Sequence, residues 1–90
     1  MKIVGAGNSE ERMFIVFRRE DAKPIVSKLL FHCLLREEAE HLELNEGIQH
    51  FKNDTYDIDL VVGEKVHVII RCEEAPKLSK KLYEMAEKTQ

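Results

Sequence analysis

The sequence predicts an α+β domain: a two-layer sandwich whose antiparallel sheet of about four or five strands carries two helices on one face. Three observations predict it. Residues 55–72, TYDIDLVVGEKVHVIIRC, read as two alternating strands and a turn. Met13-Phe14-Ile15-Val16-Phe17 is a β-branched and aromatic run bounded by Arg12 and Arg18. Two further segments repeat apolar residues at the three- and four-residue spacing of a helix. In chain order the elements are β-β-α-(β)-β-β-α, a single domain over residues 1–90.

Lys2 to Gly5 suits a short first strand, and Gly5, Gly7, Asn8 and Ser9 make the stretch after it turn-rich. A dinucleotide-binding loop would need a third glycine and a helix directly afterwards. Gly5-Ala6-Gly7-Asn8-Ser9-Glu10 has neither, so it is expected to be a loop joining two strands. The second strand, Arg12 to Arg18, is apolar at consecutive positions, the pattern of a strand covered on both faces. Two helices cover one face only, and a second subunit is the economical cover for the other.

The first helix is expected from near Ala22, with Asp21 as its cap and Pro24 in its first turn. Ala22, Ile25, Val26, Leu29, Leu30, Cys33 and Leu34 form the stripe facing the sheet. Phe31 and Leu35 lie well round the helix from that stripe, joined by Leu42 if the helix runs on. They are the expected interface with another chain. The alternative cover is the N-terminal segment or the loop over residues 42–52. Residues 36–46 are acidic; their first part can continue the helix, while His41 to Leu44 suits either a short strand or an extended arm. Asn45-Glu46-Gly47 is a turn, Ile48 to Phe51 a short strand, and Asn53-Asp54 the turn into the hairpin.

The hairpin's loop length decides which side chains share a face. A tight loop of Gly63 and Glu64 would place Leu60 opposite His67 and mix apolar with polar on both faces. A three-residue loop restores an apolar face. Gly63 to Lys65 pairs Asp57 with Arg71, and Val62 to Glu64 pairs Asp59 with His67. Either way Asp57, Asp59, His67 and Arg71 share the opposite face. The last helix follows Glu73 or Glu74, with Pro76 in its first turn, a buried stripe of Leu78, Leu82, Met85 and Ala86, and a wet face of lysines and glutamates.

Ninety residues allow one modest core. No apolar run approaches the roughly 18 residues of a membrane span, and Met1 to Gly5 lacks the apolar core of a signal peptide. Cys33 and Cys72 do not make a disulfide framework, so a soluble protein of a reducing cytoplasm is expected. The net charge of −3 argues against general nucleic-acid binding, and the high charged fraction would suit a thermophile.

Asp57, Asp59, His67 and Arg71 are the best polar constellation, able in principle to bind a divalent metal or to act as acid and base. Alternation on a solvated sheet face produces the same residues without function. The hairpin resembles the core motif of the PD-(D/E)xK nuclease family, with Asp57 or Asp59 in the place of the first acid. It departs from that family where the next strand reads Val68-Ile69-Ile70-Arg71-Cys72 in place of an acid and a lysine two apart, and Glu73 and Glu74 come too late. His41, Glu43, Glu46 and His50 match no common zinc spacing, and Cys33 beside His32 reads as an inert buried thiol. The expected function is a non-catalytic interaction or assembly domain. It is expected to form a homodimer, with no cofactor, using Phe31 and Leu35 or the outer face of the second strand. The rival is a small metal-dependent enzyme using Asp57, Asp59 and His67.

Overall fold

The computed structural model describes residues 2–89. Strands β1 (Ile3–Asn8), β2 (Arg12–Arg18), β3 (Gly47–Lys52), β4 (Asp57–Val62) and β5 (Lys65–Arg71) form one antiparallel sheet in the order β1-β2-β5-β4-β3. Helices α1 (Arg19–His32), α2 (Arg36–Glu40) and α3 (Ala75–Lys88) complete the chain. The α+β architecture read from the sequence holds, with α2 and a longer β1 added.

Strands β4 and β5 alternate between the two faces, and β2 does so with Val16 shielded as well. Met13, Ile15 and Phe17 of β2, Ile58, Leu60 and Val62 of β4, and Val66, Val68 and Ile70 of β5 are buried. They share one core with Ile25, Val26, Leu29 and Leu30 of α1 and with Leu78, Leu82 and Ala86 of α3. Each of the larger side chains among them contributes roughly 1.5–3 kcal/mol when fully buried. Asn8 Nδ2 donates to the buried hydroxyl of Ser79, tying β1 to α3.

Val62 pairs with Val66, Leu60 with Val68 and Asp57 with Arg71, so the hairpin takes the Gly63 to Lys65 loop of the two odd-loop registers. The other register, with Asp59 across from His67, is not formed. Between Ile3 and Gly5 the β1–β2 register shifts by a bulge at Val4.

The first helix starts earlier and stops earlier than its pattern suggests. It begins at Arg19, with Arg18 as a cap that makes no side-chain bond, so Pro24 sits inside the helix and not in its first turn. It ends in a Schellman motif: Leu35 N–H donates to Leu30 O and Leu34 N–H to Phe31 O, with Leu34 at φ 63°. The left-handed residue turns the chain sharply. Leu34 therefore points to solvent and Leu35 into the core, the reverse of the helical expectation for both. Leu42, the third member of the expected outer face, is buried as well. Residues 36–46 are a short helix followed by coil, packed through Leu35, Ala39 and Leu42, with Ser27 Oγ donating to Ala39 O.

Candidate functional site: the open face of the sheet

Because α1 and α3 cover one face of the sheet, every second residue of its strands looks out from the other. The registers place these residues in rows. Arg12, Arg71, Asp57 and Lys52 form one row across β2, β5, β4 and β3; Gly7, Phe14, Ile69, Asp59 and His50 form the next, starting on β1. Gly5, Val16, His67, Val61 and Ile48 form the third, and Arg18 stands beside Lys65 in the last.

The middle of this face is apolar. Phe14 is 44 % and Ile48 73 % exposed, while Val16 is already shielded by its neighbours. Gly7 has a steric reason to be glycine: a Cβ there would stand 2.6 Å from Cε1 of Phe14, so its absence lets the ring lie over β1. A shallow hollow of about 550 Å³ runs alongside, lined by Gly7, Arg12, Phe14, His67 and Ile69 among others.

Charges surround the apolar band. The His50 Nε2–H donates to Asp57 Oδ1 at 2.5 Å and lies 3.9 Å from Asp59 Oδ1. That bond, reinforced by the charges of His50, Arg71 and Lys52, holds the Asp57 carboxyl below the usual carboxylate range. Arg71 Nη1 donates to Asp59 Oδ2 at 3.1 Å. Arg12 stands directly across from Arg71, and among the described residues no carboxylate pairs with it.

The constellation expected from the sequence is thus brought to one face but regrouped. Asp57, Asp59 and Arg71 are together; His67 faces Val61 and Val16, one row from Asp59 and two from Asp57 and Arg71. His50 takes its place because β3 and β4 form a hairpin across the Asn53 to Tyr56 turn, whose register sets His50 opposite Asp59 and next to Asp57. Ligand atoms of His50, Asp57 and Asp59 all fall within 4.8 Å of one another, the one such cluster of three or more among the described residues. One imidazole and two carboxylates can hold a single divalent ion with bonds of about 2.0–2.2 Å. Such a mixed nitrogen and oxygen set favours zinc or manganese over calcium. His41, Glu43 and Glu46 are not drawn into it; Glu46 lies 3.8 Å from Arg19 instead.

On the helical side, Phe31 is half exposed with the Arg36 guanidinium 4.9 Å from its ring centre, and Leu34 is exposed beside it in sequence. Leu35 lies in the core and offers no outer surface. A second groove, about 510 Å³ and bounded by His32, Asp54, Tyr56, Cys72, Glu74 and Lys77, mixes both signs of charge. Burial pushes the Cys33 thiol up to about 12 and also raises that of Cys72, so neither is an activated nucleophile. No helix among the described residues is long and apolar enough to cross a membrane.

No protein-family model, curated protein or solved structure matches the chain.

Proposed function

We propose that the chain is a non-catalytic assembly domain that self-associates through the open face of its sheet. The apolar band of Phe14, Val16, Ile69, Val61 and Ile48 on a face that no helix covers carries this reading. Five strands about 4.8 Å apart and about 20 Å long present a face of about 500 Å² before side-chain relief is counted. That approaches the roughly 800 Å² per partner of a stable protein interface. On the helical side Phe31, stacked under Arg36, and Leu34 make a smaller apolar surface. The two free cysteines, one fully buried, favour a reducing cytoplasmic setting, and the charge-rich surface suits high temperature.

The test is molar mass in solution over a concentration series for the wild type, Phe14→Ser and Phe31→Glu. The reading expects a wild-type dimer, a folded monomer for Phe14→Ser and an unchanged dimer for Phe31→Glu. Dissociation by Phe31→Glu alone would move the interface to the helices.

The cluster of His50, Asp57 and Asp59 favours a second reading, a divalent-metal-dependent enzyme with His50 in the position expected for His67. It expects zinc or manganese to raise the melting temperature of the wild type and not that of Asp57→Asn/Asp59→Asn. A melting curve indifferent to metal removes it.

A further inference from the structure

We infer that the partner on the open face is a second copy whose two-fold axis runs along β5, so that Arg12 of each chain meets Asp57 of the other. This rests on the self-association reading and adds the geometry that the charges select. The β5 strand is the middle of five, so an axis along it overlaps the two sheets completely, laying β2 on the partner's β4 and β1 on the partner's β3. Aligned sheets pack face to face in this way, about 10 Å apart.

In that arrangement the rows described above stay in step. Arg12 lies over the partner's Asp57, Val16 over the partner's Val61, and Gly5 over the partner's protruding Ile48. The axis brings Arg71 and Lys65 near their own copies; Asp59 already neutralises Arg71 within the chain, and the exposed Lys65, in the last row at the end of the sheet, can extend into solvent.

The other placements fail on charge. An axis moved to lie between β2 and β5 stacks Arg12 on the partner's Arg71 and Arg18 on the partner's Lys65. Moved between β5 and β4, it sets Arg12 over the partner's Lys52. An axis across the strands reverses the rows, so Arg12 faces the partner's Arg18 and Arg71 the partner's Lys65. Like charges so placed oppose association. Of these placements the axis along β5 alone gives Arg12 an acid, and among the described residues no carboxylate of its own chain pairs with Arg12.

A charge exchange within the chain tests it. Dimer dissociation constants are measured by sedimentation equilibrium for the wild type, Arg12→Glu, Asp57→Arg and the double variant, with circular dichroism verifying that each is folded. Each single change places like charges across the interface and is expected to weaken the dimer at least tenfold. The double variant restores opposite charges and is expected to return within about threefold of the wild type. A wild-type dimer whose double variant is as weak as the singles overturns this geometry while leaving self-association standing. A wild type that is monomeric throughout overturns both.

Discussion

Leu34 and Leu35 are neighbours in the chain and opposites in the fold, one 81 % exposed and the other 5 %. Leu34 occupies the left-handed position after α1 that glycine normally fills, at φ 63°. Its side chain gains little from burial there and bears a conformational cost of about 1–2 kcal/mol. Leu34→Gly is expected to stabilise the protein by about 1 kcal/mol, after the added freedom of glycine in the unfolded chain is subtracted. Leu35→Ala is expected to destabilise by about 2–4 kcal/mol, as core truncations do. Urea unfolding of both variants checks the pair; a surface-like loss below about 0.5 kcal/mol for Leu35→Ala would place that side chain outside the core.

Asn53 joins two distant turns. Its Oδ1 accepts from the backbone N–H of Thr55 and Tyr56, forming the β3–β4 turn, while its Nδ2 donates to Cys33 O at the end of α1. Asn53→Asp keeps the acceptor and replaces the donor by a carboxylate oxygen facing a carbonyl. A loss of about 1–3 kcal/mol is expected at neutral pH. The deficit should shrink in acid as the new carboxyl protonates and can donate again. A deficit independent of pH would mean that the turn and not the link to Cys33 is what matters.

The sequence made the hairpin, β2 and α3 legible because their signals are local. Alternation and an odd loop fix which face Leu60 and Val68 share, and a proline near the start of α3 marks where it begins. Leu34 and Leu35 were not legible in this way, since the periodicity of α1 continues past the residue where the helix ends. Nor was His50 as the partner of Asp57: Asn53-Asp54 marks the turn between β3 and β4, but the register that sets His50 opposite Asp59 is fixed by the backbone and side-chain bonds of Asn53, which the residue pattern does not display. His67 was placed on the correct face but at the wrong distance, because one row of register separates it from Asp59 and two from Asp57.

The His50–Asp57 bond makes stability depend on acid in a definite direction. Asp57 has a folded pKa below its ordinary value, so its contribution is complete above the unfolded carboxylate's pKa of about 4. It is lost as pH falls through the lower folded value. Carbonyl chemical shifts followed from pH 6 to pH 2 should show Asp57 titrating below the ordinary carboxylate range. In His50→Ala its midpoint should rise towards the normal range. An unchanged midpoint would assign the effect to Arg71 and Lys52.

Cys33 is fully buried with its thiol at about 12, whereas Cys72 is partly exposed. At pH 8 Cys33 is held almost wholly as the protonated thiol by its burial. Under native conditions a thiol reagent should therefore label Cys72 first, and Cys33 only as fast as the protein opens. Mass spectrometry of the partly labelled protein identifies the site. Early labelling of Cys33 would show that the packing of α1 against the sheet opens readily.

The bulge at Val4 bears on what kind of assembly the chain can build. An outer strand with evenly spaced free N–H and C=O groups is a template on which further strands zip, and copies joined in that way grow into fibres without limit. One extra residue between Ile3 and Gly5 breaks the spacing along that rim of the sheet. Strand addition is disfavoured there, and flat-face contact about a two-fold axis is satisfied once two copies have met.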